Sequence, residues 1–185
     1  MMRPAKHFFI LISILVSISI CSSIYPLTCE VAPLNDARYF KTVYSLFTKA
    51  KSSIYIIMYS AMWYDEYPDS PSNELINSLI AAKKRGVDIN VILDKPYKNK
   101  KTDNRANEKT ATILSRGGVK VYFDSENITT HSKLIIIDGR YVVIGSTNWS
   151  YYALSKNNET NVLIDSEQIA KEYIKYFEEL VPLCK

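Results

Sequence analysis

The chain has 185 residues, 47% of them hydrophobic, which is enough for one domain with a sizeable core. It contains no low-complexity tract, heptad array or internal repeat, so fibrous, coiled-coil and solenoid architectures are excluded. The formal net charge is +4, and setting Arg3 and Lys6 aside leaves 21 basic against 19 acidic residues, so global charge says little about a partner.

In chain order, Arg3 and Lys6 precede a 13-residue apolar run over 8–20, followed by Cys21, Ser22 and Ser23. This pattern predicts a signal peptide over 1–23 and therefore an exported, periplasmic or secreted protein. The alternative is an uncleaved membrane anchor over residues 8–25. The domain proper is expected over 29–185. Its two cysteines, Cys29 and Cys184, stand at opposite ends of that domain; export permits them to form a disulfide, and two unpaired thiols are the alternative.

Asn35-Asp36 are placed to cap a helix whose apolar positions Phe40, Val43, Tyr44, Phe47 and Ala50 follow a 3.6-residue pattern. Residues 53–60 have strand composition without alternation, as expected for a strand covered on both faces near the middle of a sheet. The aromatic and acidic loop that follows ends at Pro71, where a second helix begins and runs to about Arg85. Residues 87–93 alternate as a half-buried strand. Lys95, Lys98, Lys100, Lys101 and Arg105, with Tyr97 among them, make a basic loop suited to phosphates, or an ordinary solvated loop. A helix over 106–116 stops at Gly117-Gly118, and a strand follows over 119–123. After a hairpin, residues 161–164 resume strand composition. Ser166 then caps a last helix with Ile169, Tyr173, Tyr176, Phe177 and Leu180 on its buried side. Alternating strands and helices predict a layered α/β domain with a largely central sheet.

The hairpin concentrates the chemistry. Asp138-Gly139 between two apolar runs predicts a two-residue turn, because glycine supplies positive φ and aspartate tolerates it. That turn pairs His131 with Ser146 and Lys133 with Ile144, and puts His131, Lys133 and Ser146 on one face, with Asn148 one step beyond. Asp138 lies roughly 23 Å along an extended strand from His131, too far to touch it.

The chain has two histidines, and His7 falls in the targeting segment, leaving His131 alone. That count excludes a histidine-rich metal centre, and neither a nucleophile-elbow pattern nor a glycine-rich phosphate loop is present. His131 as a nucleophile beside Lys133, Ser146 and Asn148 supplies what phosphodiester transfer needs: an attacking nitrogen, a cation and neutral donors.

The string His131-x-Lys133-x4-Asp138 with Gly145-Ser146-x-Asn148 resembles the HKD motif of the phospholipase D superfamily, and Asn157-x-Glu159 matches its usual downstream extension. The element order also resembles the small single-motif members, the Nuc-type endonucleases. The resemblance implies a phospholipase D-like fold with a central mixed β-sheet flanked by helices. It also implies that His131 attacks phosphorus, that Lys133 and Asn148 hold the non-bridging oxygens with help from Ser146, and that Glu159 orients His131. For Asp138 the hairpin argues for a structural role. The superfamily's reaction uses two histidines, so a single-motif chain is expected to work as a two-fold homodimer with a shared site. The expected function is metal-independent and cofactor-free cleavage of nucleic acid, DNA or RNA, through a phosphohistidine. The alternative is a phospholipase D acting on membrane lipids.

Overall fold

Two halves of the chain fold by different local rules. In the computed structural model, which describes residues 29–95, 105–125 and 127–184, the first half alternates strand and helix: β1 (Glu30–Pro33), α1 (Ala37–Lys49), β2 (Ser53–Met58), α2 (Pro71–Lys84), β3 (Asp88–Leu93), α3 (Arg105–Arg116) and β4 (Lys120–Phe123). The second is a meander closed by a helix: β5 (Lys133–Ile137), β6 (Tyr141–Gly145), α4 (Tyr151–Ser155), β7 (Asn161–Asp165) and α5 (Glu167–Leu180). The helical crossovers α2 and α3 make β2, β3 and β4 parallel, whereas the turn after β5 and the longer return through α4 after β6 make β5, β6 and β7 antiparallel. Together they form a seven-stranded mixed sheet in the order β1-β7-β6-β5-β2-β3-β4.

Both faces of this sheet are covered. Ile54, Ile56 and Met58 of β2 join Ile135 and Ile137 of β5 in a core shared with Val43 and Phe47 of α1 and Leu75 and Leu79 of α2. The alternate residues Ile57, Leu134, Ile136 and Val142 pack with Ala170 and Phe177 of α5 on the other face. β5 is therefore buried at every position, as its unbroken apolar run requires. The half-buried reading of β3 is corrected for the same reason: five of its six residues are buried, because helices cover both sides.

Helix ends follow their caps. The Ser70 side chain accepts from Asn73 N with Pro71 in the first turn, and the Ser166 side chain accepts from Ile169 N. Asp36 departs from expectation: it precedes α1 but makes no side-chain capping bond, and its backbone has φ 51°. Its carboxylate is engaged elsewhere, by the amide of Glu159. Tyr39, not Tyr44, completes the buried face of α1, and Tyr176 of α5 is exposed.

The hairpin register is corrected by one residue. Asp138 and Gly139 both have positive φ (53° and 60°), but Ile137 pairs with Tyr141, so Arg140 is an extra residue in the turn. Arg140 is held on the β7 side, where its carbonyl accepts from Ser166 N at 3.0 Å and its guanidinium pairs with Asp165 at 2.5 and 2.8 Å. The ladder therefore pairs Leu134 with Ile144, and one step further puts Lys133 opposite Gly145. Ser146 falls in the other phase of the pleat, and the expected single face of His131, Lys133 and Ser146 does not form.

The expected disulfide is also corrected: Cys29 and Cys184 are free thiols. Cys29 precedes β1, whose first residue pairs with Asp165 just before α5, whereas Cys184 lies beyond the far end of α5. A 14-residue helix of about 21 Å lies between those ends. The expected signal segment lies outside the described residues. Among the described residues no helix is long and apolar enough to cross a membrane.

Candidate active site

The parallel strands β2, β3 and β4 end where β5 begins, so one edge of the sheet gathers Tyr59, Asp94, Asp124 and Lys133. In open α/β sheets this carboxyl edge, beside the point where strand direction reverses, is where ligands bind. The segment entering β5 is tied down there. Thr130 N donates to Asp94 Oδ1 at 2.8 Å and to Asp124 Oδ2 at 3.1 Å, and Tyr59 N donates to Ser132 O at 2.9 Å. Asn107, fully buried on α3, donates to the carbonyls of Tyr59 and Asp94 at 2.8 Å each and accepts from Ala61 N at 2.8 Å. One amide thus joins the ends of two strands.

Between those anchors, His131 is exposed and Lys133 is buried, 7% accessible. The Lys133 ammonium donates to His131 O at 2.9 Å and sits 4.9 Å from the centroid of the Tyr59 ring. The His131 ring lies against the same tyrosine, centroids 4.5 Å apart at 58°. Tyr59 therefore touches both the imidazole and the cation. Burial pushes the Lys133 ammonium below the ordinary lysine value, against an upward pull from the Glu159 and Asp94 carboxylates. Burial, and then the Lys133 charge, hold His131 below the ordinary histidine value. His131 is thus biased toward the neutral imidazole, with no hydrogen bond to either ring nitrogen among the described residues, beside the Lys133 ammonium.

Ser146 and Glu159 form a second unit on the neighbouring strands. The Ser146 hydroxyl donates to Glu159 Oε2, Asn157 Nδ2 donates to Glu159 Oε1 at 3.0 Å, and Thr160 N donates to Ser146 Oγ at 3.1 Å. Both Glu159 carboxylate oxygens are thus occupied. The expected orienting bond from Glu159 to His131 is absent, and Glu159 acts on the Lys133 ammonium through charge alone. Gly145 explains why these strands approach so closely: a Cβ there would lie 2.3 Å from Asn161 Oδ1 and 2.4 Å from the Thr160 carbonyl. Asn161, buried, spends its side chain on Thr147 N, Thr147 Oγ1 and Leu34 O, which fixes the turn carrying Asn148. Asn148 Oδ1 is, among the described residues, the buried side-chain polar atom without a partner.

Asp138 sits at the opposite end of β5, roughly 17 Å from Lys133 along an extended strand. Its carboxylate accepts from Ser52 N at 2.8 Å, Lys51 N at 3.0 Å, Ser53 N at 3.2 Å and Ser52 Oγ at 3.0 Å. Burial works against its ionised form, yet these bonds prevail and hold its carboxyl below the usual aspartate value. It welds the hairpin tip to the start of β2.

Of the basic loop, Lys95 follows the end of β3, with its amide donating to Asp124 Oδ1 at 2.6 Å, and Arg105 opens α3. Lys98, Lys100 and Lys101 lie outside the described residues. No group of three or more metal-ligating side chains occurs among the described residues. Tyr59, Asn107 and Asp94 carry no site signal in the sequence, and Asp36 stands out there only as a helix cap. Tyr59 alone left a trace there, as the aromatic that ends an apolar strand.

The family model described as "Cardiolipin synthase, PLD-like domain" matches residues 43–181. A curated relative, phospholipase D of Rickettsia typhi, is 28% identical over 149 residues, covering 80% of this chain and 64% of its own length. The chain therefore spans less than two thirds of that relative. Among solved structures, the phospholipase D family member Nuc from Salmonella typhimurium superposes with a TM-score of 0.70 at 26% identity, over 85% of this chain and 97% of that one. NucT from Helicobacter pylori shares the fold, with a TM-score of 0.66 at 19% identity over 85% and 98% of the two chains.

Proposed function

Since the chain belongs to the phospholipase D-like domain family, whose model spans residues 43–181, we propose that it is a phosphodiesterase, and specifically an exported endonuclease that needs no metal. The observation that carries the reading is the pairing of an exposed His131, which has no hydrogen bond to its ring nitrogens among the described residues, with the buried Lys133 ammonium against the same Tyr59 ring. The likeness to Nuc, over nearly the whole of that chain, favours nucleic acid, whereas the phospholipase D of Rickettsia typhi is matched over only 64% of its length.

In this mechanism a neutral His131 nitrogen attacks phosphorus while Lys133 and the Asn148 amide hold the non-bridging oxygens. The P–O bond to the leaving strand breaks, and that oxygen takes a proton from a second imidazolium. The second imidazole, now neutral, removes a proton from water, whose oxygen displaces His131 from phosphorus. One end of the nucleic acid keeps the phosphate and His131 returns to its starting form. The chain's other histidine, His7, lies in the expected targeting segment, so the second imidazole is the His131 of another copy, in a two-fold homodimer.

The test incubates the purified chain in EDTA with plasmid, single-stranded DNA, RNA and phosphatidylcholine vesicles. Nucleic-acid cleavage in EDTA is the expected result. Lipid turnover without nucleic-acid cleavage would favour the phospholipase reading, and loss of all activity in EDTA would overturn the metal-free mechanism.

A further inference from the structure

A groove of about 760 Å³ opens beside the catalytic edge, lined by Tyr64, Tyr67, Tyr151, Tyr152, Glu66 and Asp69. Three of its tyrosines are exposed, Tyr67 by 65%, Tyr152 by 68% and Tyr151 by 41%. Three exposed tyrosines along one groove, with the half-buried Tyr64 beside them, are a costly arrangement for a surface with nothing to bind.

The groove is built, not incidental. Asn73, fully buried near the start of α2, accepts from Tyr64 N at 3.0 Å and donates to the carbonyls of Tyr64 and Tyr67 at 2.7 and 3.1 Å. The Tyr64 hydroxyl accepts from Tyr151 N at 3.0 Å, joining the two walls. Tyr151 and Tyr152 stand edge to face, centroids 5.7 Å apart. The segments that lead into its two walls are tied together: Ala61 bridges to Trp149, and Met62 N donates to Trp149 O at 2.8 Å. Tyr151 follows Asn148 by three residues, so their Cα atoms are at most about 11 Å apart.

We propose that this groove takes unpaired nucleobases of the strand being cut, which makes single-stranded nucleic acid the preferred substrate; the inference rests on the nucleic-acid reading of the site. Tyrosine faces are stacking platforms for any base. The charged residues lining the groove, Glu66 and Asp69, are acids, which repel a phosphate backbone and leave the groove to the neutral bases. The backbone then follows the cationic side of the edge, at Lys133. A duplex keeps its bases inside the stack and offers the groove only phosphates. The groove's volume leaves room for planar bases, whereas a compact trimethylammonium headgroup would leave most of it empty.

The test measures binding, so it does not depend on cleavage. Fluorescence anisotropy follows a labelled single-stranded 10-mer and the matching duplex on wild type, on Tyr67→Ala with Tyr152→Ala, and on Tyr67→Phe with Tyr152→Phe. The alanine pair is expected to raise the single-strand Kd by about 5- to 150-fold and to move the duplex Kd by less than about two-fold, while the phenylalanine pair stays near wild type. Turnover of bis(p-nitrophenyl) phosphate, which needs no groove, checks that the alanine variant is folded and keeps its chemistry. Equal effects on single strand and duplex, or none on either, overturn the proposal. So does a groove that instead binds choline-headed vesicles in a tyrosine-dependent way. Tyrosine-dependent single-strand binding with no cleavage of any nucleic acid would support the groove and defeat the nuclease reading alone.

Discussion

Asp36 and Glu159 hold each other by both backbone directions: the Glu159 amide donates to the Asp36 carboxylate at 2.8 Å, and the Asp36 amide donates to the Glu159 carbonyl at 3.1 Å. The link spans most of the chain and fixes the residue that holds Ser146. Asp36 maintains it with φ 51° and ψ −126°, a conformation that costs a non-glycine residue on the order of 1–3 kcal/mol.

Three substitutions at Asp36 separate the acceptor from the strain. Asp36→Asn keeps an acceptor oxygen and is expected to stay near wild type in activity. Asp36→Ala leaves the Glu159 amide unpartnered, at roughly 1–3 kcal/mol, and lowers both melting temperature and turnover. Asp36→Gly relieves the strain without restoring the acceptor, so its melting temperature recovers while turnover does not. Thermal denaturation beside phosphodiester turnover reads all three, and full turnover in Asp36→Gly would show that the link is unimportant to the site.

His131→Ala is expected to abolish turnover, by on the order of 10⁴-fold or more. With the proposed shared site, refolding it with wild type gives mixed dimers that lack one of the two imidazoles. Activity per wild-type chain should then fall as variant is added, and an unchanged value would argue against a shared site.

The acid limb of the pH–rate profile is expected below pH 6.5, the ordinary histidine value, because His131 is held below it. The same shift sets the sign for stability. The folded state resists protonating His131, so its contribution is fully present above pH 6.5 and is lost as pH falls through the folded value. Lys133→Met removes the second cause of the shift and should move the His131 titration upward, though not fully, since burial remains. Proton NMR of the imidazole in a His7→Gln background follows this directly.

Asp138→Ala is expected to destabilise the fold by roughly 1–3 kcal/mol, since it leaves the amides of Lys51, Ser52 and Ser53 without their acceptor. Turnover per folded molecule should be unchanged. Because the Asp138 carboxyl is held below its ordinary value of 3.8, its stabilisation is present above that pH and lost as pH falls through the folded value. Urea denaturation at pH 7 and pH 3 should therefore show the gap between wild type and Asp138→Asn narrowing in acid.

The fold was legible where local rules decide it. Apolar runs marked β2 and β5, and Ser166 marked the start of α5. β1 was not legible, because four exposed residues ending in Pro33 become a strand only by pairing with β7. His131, Lys133 and Asn148 stood out by type and spacing. Tyr59 and Asn107 did not, since an aromatic after a strand and an asparagine in a helix carry no sign of what lies across the sheet. The register failed on one residue: nothing local distinguishes a two-residue turn from one that also holds Arg140, and the bond that decides it comes from Asp165, 25 positions away.

Arg140 makes the catalytic edge a matter of parity. With the extra residue in the turn, Gly145 rather than a side chain faces Lys133, and the strands can close on Asn161. Were Arg140 to enter the ladder opposite Ile137, every later pair would slip by one and Ile144 would face Lys133. Deleting Arg140 leaves Ile137 opposite Tyr141 and Gly145 opposite Lys133, so the turn tolerates its loss but not its pairing. The Asp165 carboxylate that keeps Arg140 out of the ladder thus guards an alignment at the other end of the hairpin.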